Sequence, residues 1–110
     1  FLFYPSPEYD FNILNKITKK FMFNRNKKYL DKNEISKQEI QFKNKNSDIF
    51  KSFDSINNLK LKKIYPHKYV CDGKRCYTHD GENLFYQDDV HFSQFIIKKI
   101  NDELISKLKD

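Results

Sequence analysis

The chain has 110 residues, with 21 Lys and Arg against 15 Asp and Glu, for a net charge of +6. That length holds one domain at most. The apolar run that opens it, Phe1-Leu2-Phe3-Tyr4, is too short for a signal-peptide core or a membrane helix. The basic balance raises nucleic acid and acidic surfaces as partners, but Arg25 and Arg75 are the only arginines, and bidentate base reading favours Arg. The lysines are scattered through Asn- and Ile-rich sequence, so nucleic acid is set aside and most of the charge reads as solvated surface.

In chain order, Phe1–Tyr4 reads as a short, fully buried strand closed by Pro5. A chain that opens in such a run reads as the C-terminal part of something larger. Pro5-Ser6-Pro7-Glu8 is a rigid loop, and loops at the C-terminal ends of buried strands are where α/β proteins place functional groups. Ser6 itself reads as a turn residue. Residues 10–23 have helical spacing at Ile13, Ile17 and Phe21, whereas residues 24–33 are polar and Lys-rich, as in a loop. Phe21-Met22-Phe23 needs a cover.

Residues 36–58 are expected to form the longest helix. Ser36 and Glu39 fit a capping box, and Phe42, Ile49, Phe53 and Ile56 make one apolar face. Residues 59–65 read as a second strand stopped by Pro66. Strand, helix and strand in that order imply a parallel crossover. Residues 66–87 lack helical periodicity. Asp72-Gly73 and Asp80-Gly81 are turn signals, the second joining residues 75–79 and 84–86 as a small hairpin. Ser93 is placed to cap a last helix over residues 94–109, with a face of Ile96, Ile97, Ile100, Leu104 and Leu108.

Three features carry chemistry. Cys71 and Cys76 flank Asp-Gly-Lys-Arg. A disulfide closing that tight loop, contributing about 2 kcal/mol by loop entropy, is the preferred reading. Two free thiols, or a metal site with His67 and His79, remain open. The second feature is Tyr86-Gln87-Asp88-Asp89-Val90-His91-Phe92-Ser93, just ahead of the last helix. A loop of that length can fold back so that the Asp88 carboxylate accepts a hydrogen bond from Nδ1–H of His91, leaving Nε2 free as a general base. The plainer reading of His91 is a ring packed beside a helix start. The third feature is the lack of an evident nucleophile: the serines at 6, 36, 47, 52, 55, 93 and 106 all lie outside Gly-Asp-Ser or Gly-x-Ser-x-Gly settings. Gly81-Glu82-Asn83 looks like an oxyanion-hole Gly-x-Asn, but a hairpin turn explains it better.

Taken together, Pro5-Ser6-Pro7-Glu8 after a strand, the Cys71/Cys76 pair and Leu84–Ser93 resemble the end of the SGNH hydrolase-like domain found at the C-terminus of bacterial membrane acyltransferases of the OafA type. Phe92 stands where that family has Leu. The resemblance implies a three-layer α/β/α sandwich with a parallel sheet, of which residues 1–110 are the C-terminal portion and the early strands are missing. It matches the Asp and His of a Ser-His-Asp triad to Asp88 and His91. It puts the nucleophilic Ser and the oxyanion Gly and Asn before Phe1. It further implies O-acyl transfer to a cell-surface polysaccharide such as lipopolysaccharide O-antigen, at the periplasmic face of the inner membrane beside a membrane acyltransferase domain, with no cofactor. The alternatives are a small non-enzymatic metal-binding module using His67, Cys71, Cys76 and His79, or a basic module for polyanions.

Overall fold

The computed structural model describes residues 1–23, 31–33 and 35–109. The expected parallel crossover forms. Strand β1 (Leu2–Phe3) runs parallel to β3 (Lys63–Ile64), with Leu2 opposite Lys63 and Phe3 opposite Ile64. Tyr4 N donates to Ile64 O at 2.9 Å and extends the register. Mixed α/β architecture with a small parallel sheet and helices fits a partial fold of the kind the resemblance implies.

β1 is less buried than its composition suggested. Tyr4 is buried, but Phe1 and Phe3 are half exposed. β3 is also shorter than expected. Leu59 is fully exposed and Asn58 begins a turn, its Oδ1 accepting from Lys60 N and its carbonyl from Leu61 N. Pro66 ends the strand as expected, and it also opens a 3-10 turn over Pro66–Tyr69, because its fixed φ suits a helical first position.

The region expected to be one long helix is three elements. Ser36–Gln38 forms β2, antiparallel to β4 (Arg75–Tyr77). Two helices follow, α2 (Glu39–Lys45) and α3 (Ser47–Asp54), broken at Asn46. Ser36 does not cap. Its hydroxyl donates to Asn33 O and accepts from Arg75 Nε at 2.8 Å. Glu39 instead turns back to the Asp72-Gly73 turn, where Oε1 accepts from Gly73 N and its own N–H donates to Lys74 O. The ladder and that carboxylate outcompete a local cap. The break leaves Ile49 half exposed, while Phe42 and Phe50 turn inward.

Both turn signals hold, with Gly73 at φ +100° and Gly81 at φ +98°, a region open to glycine at little cost. The expected hairpin shrinks to one antiparallel bridge, His79 to Leu84, because β4 takes β2 as its ladder partner. Cys71 and Cys76 are joined by a disulfide around the first turn. Asp72 Oδ1 accepts from Lys74 N and Arg75 N, while Tyr77 OH donates to Oδ2 at 2.6 Å. Those bonds, the Arg75 amide foremost, hold the Asp72 carboxyl well below the usual range. Replacing the pair as Cys71→Ser with Cys76→Ala is expected to lower unfolding free energy by about 2 kcal/mol or less in urea titration. The loss stays small because the Asp72 bonds already constrain the turn.

The main core gathers Tyr9, Ile13 and Ile17 with Ile35, Val70, Phe85, Tyr86 and Ile96. Helix α1 (Ile13–Phe23) contributes Ile13 and Ile17. Asn12 Oδ1 accepts from Asn15 N at 3.0 Å and caps it. Helix α4 (Gln94–Leu108) forms as expected, with Ile96 sealed in the core and Leu108 exposed. Its far end is tied to β3 by Lys107 Nζ donating to Lys63 O, and to the 3-10 turn by Tyr69 OH donating to Glu103. The expected loop at 24–33 lies largely outside the described residues, as does any cover over Phe21-Met22-Phe23.

Candidate active site

Asp88 and His91 meet. Asp88 Oδ2 lies 2.8 Å from His91 Nδ1. The other carboxylate oxygen, Oδ1, accepts from Val90 N at 2.9 Å and His91 N at 2.7 Å. The carboxylate therefore folds the loop and orients the ring at once. Gln87 N donates to His91 O at 2.8 Å, and Tyr86 bridges Phe92, closing the loop at its neck.

The loop is fastened to the start of the chain from two sides. Tyr9 N donates to Asp89 O at 3.0 Å. Tyr86, almost fully buried, donates its hydroxyl to Pro7 O at 2.8 Å. The Tyr9 ring packs edge-on against Tyr86 at 5.5 Å, and its hydroxyl reaches Cys76 O. Burial pushes both phenols far above their ordinary pKa, so they stay neutral donors. The Pro5–Glu8 loop, the disulfide strand and the Asp88 loop are thus one packed unit. Tyr9 is the anchor that sequence reasoning missed, since its partners Cys76 and Asp89 lie far along the chain and no local pattern marks them.

Electrostatically the pair is poised for an ionised carboxylate beside a histidine. The Asp88 carboxyl is pulled down to about 2, first by the His91 amide, then by the Val90 amide, then by the His91 ring. A carboxyl lowered by folding stabilises above its unfolded pKa of about 4, and the contribution fades as pH falls toward about 2. Because the amides dominate, His91→Ala should move the Asp88 titration only part of the way up. Carbon-13 NMR of its Cγ against pH checks this.

The His91 side chain is 74% exposed and that of Asp88 37%. Nε2 makes no hydrogen bond to the described residues and faces solvent, so the arrangement can take a proton from a group brought to it. His91 lines neither the clefts around Lys37 nor those around His79 and His67. The serines present do not complete a triad here. Ser93 Oγ donates to Leu84 O at 2.6 Å, and Ser6 borders a separate cleft with Tyr4, Glu8 and Lys37.

The other set considered for a metal is not assembled. The two sulfurs are bonded to each other. His67 is packed among Phe42, Phe50 and Tyr65, and His79 Nδ1 accepts from Gly81 N at 3.1 Å. Glu39 lies close to both sulfurs, but a disulfide offers no thiolate for zinc. No helix among the described residues is long and apolar enough to cross a membrane.

A family model described as SGNH domain (fused to AT3 domains) matches residues 1–106. No curated protein and no solved structure matches the chain.

Proposed function

The chain belongs to the family of SGNH domains fused to AT3 domains, and from that premise we propose that Asp88 orients, and His91 is the general base of, a Ser-His-Asp triad for O-acyl transfer. An SGNH acyltransferase-related function follows from the family. The roles of the two residues rest on one observation, the 2.8 Å contact between Asp88 Oδ2 and His91 Nδ1 beside an unoccupied Nε2.

In this reading the serine comes from a preceding portion of the domain, together with the oxyanion donors. His91 Nε2 takes the proton from the serine hydroxyl as its oxygen attacks the acyl carbonyl. The imidazolium, steadied by the Asp88 carboxylate, returns that proton to the leaving group as the tetrahedral intermediate collapses. An acyl-enzyme results. His91 then deprotonates a sugar hydroxyl, which attacks the acyl-enzyme and frees the serine. Exposure of the His91 ring suits a site completed by another segment, which would supply the water exclusion that the described residues do not.

The acceptor is a cell-surface polysaccharide such as lipopolysaccharide O-antigen, the acyl group arrives through a membrane AT3 domain, and the site faces the periplasm. The disulfide supports an oxidising compartment. The test supplies full-length protein in membranes with labelled acyl donor and purified polysaccharide. Base-labile label on the polysaccharide supports the reading. Label released only as free acid, or none transferred, rejects the acceptor.

A further inference from the structure

A second site lies away from Asp88 and His91, past the C-terminal end of β3. A cleft of about 410 Å³ opens there, lined by Lys43, Ser47, Lys51, Asp54, His67 and Lys68 among others. Three lysines and one aspartate line it, and the aspartate carboxylate already accepts a hydrogen bond, Tyr4 OH donating to Asp54 Oδ1 at 2.7 Å. Lys43 pairs with Glu39 at 3.1 Å and Lys68 lies over the Tyr65 ring. Lys51 has no ion-pair partner among the described residues.

His67 is 4% exposed and held by the Phe42 and Phe50 rings at 5.5 and 5.4 Å. Its Nδ1 is buried without a hydrogen-bond partner. A buried orphan N–H is the rarer and costlier arrangement, so the ring proton belongs on Nε2. That leaves Nε2–H as the donor of a ring that borders the cleft. Burial, then Lys43 and Lys68, holds the ring below its usual pKa, with Glu39 opposing. A neutral donor beneath unsatisfied positive charge is a setting that an anion relieves.

We propose that this cleft binds a compact oxyanion, phosphate or carboxylate, received by Nε2–H of His67 and by the ammonium groups of Lys51 and Lys68. Ligands of open α/β sheets sit outside the carboxyl ends of the strands, which is where this cleft lies. Ammonium groups act as point charges, so they accept either oxyanion.

The experiment titrates inorganic phosphate, acetate and chloride into the full chain at constant ionic strength. His67 and His91 ring signals are followed by NMR. Saturable movement of the His67 signals with phosphate or acetate, without His91, is the expected result, and the stronger of the two identifies the source. Lys51→Gln and Lys68→Gln are exposed changes that should each weaken binding about tenfold, unmoved core methyl signals of Ile64 and Ile96 showing the fold intact. Equal response to chloride, no saturation, or equal movement of both histidines overturns the proposal. So does undiminished affinity in both lysine variants.

Discussion

His91→Ala in the full-length protein is expected to reduce acyl transfer on the order of 10⁴-fold or more, since a triad without its base keeps only oxyanion stabilisation and binding. Stability should barely change, within about 0.5 kcal/mol, because the ring is exposed and packs on no core residue. Asp88→Asn separates orientation from loop folding. The amide oxygen can still accept from the Val90 and His91 amides, so the loop survives. Its NH₂ would then face Nδ1 in place of Oδ2 and favour the wrong tautomer. A loss of about 10³- to 10⁴-fold in kcat, at nearly constant melting temperature, is expected. Full activity in Asp88→Asn would mean that the carboxylate only folds the loop. Single-turnover acyl transfer with both variants makes the measurement.

Tyr86→Ala carries the largest expected cost in stability, about 3–5 kcal/mol by the range for buried aromatic truncation. Tyr86 is among the largest fully buried side chains and touches both Tyr9 and Phe92. A domain with total stability of about 5–15 kcal/mol has little left after such a loss. Tyr86→Phe isolates the hydroxyl. It leaves Pro7 O without its buried donor, which costs about 1–3 kcal/mol. Because that hydroxyl fastens the Pro5–Glu8 loop to the Asp88 loop, Tyr86→Phe should also loosen the Tyr9 N–H bond to Asp89 O. Denaturant titration gives the energies, and amide exchange at Tyr9 gives the loosening. Unchanged exchange at Tyr9 would show the two anchors to be independent.

The elements that could be read from sequence are those whose determinants are local. Helix α4 has its apolar face and its N-terminal serine within one continuous run, and it formed where expected. The serine holds Leu84 O instead of capping, a partner no helix rule supplies. Gly73 and Gly81 marked their turns because positive φ is a property of a single residue. The Asp88–His91 contact was accessible for the same reason, since three residues of loop bring the two groups together.

What failed depended on distant partners. Ser36 and Glu39 spell a capping box, yet β4 lies where it can pair with Ser36–Gln38, and Gly73 N can reach Glu39. Leu59 reads as strand, but no ladder covers it and it stays exposed. Tyr9 joins the two halves of the candidate site through Asp89 O and Cys76 O, and nothing near Tyr9 in sequence signals either contact. A metal site with His67 stays open in sequence beside the preferred disulfide because residue type is visible there and packing is not. The ring's aromatic neighbours and the bonded sulfurs redirect His67.

The ring proton of His91 decides the central claim. Nitrogen-15 NMR of the neutral imidazole in the full-length protein distinguishes the two tautomers directly. The Asp88 contact predicts a proton on Nδ1 and a bare Nε2, with Asp88→Asn shifting the balance toward Nε2–H. A neutral ring already carrying its proton on Nε2 in the unaltered protein would contradict the assignment of His91 as the base.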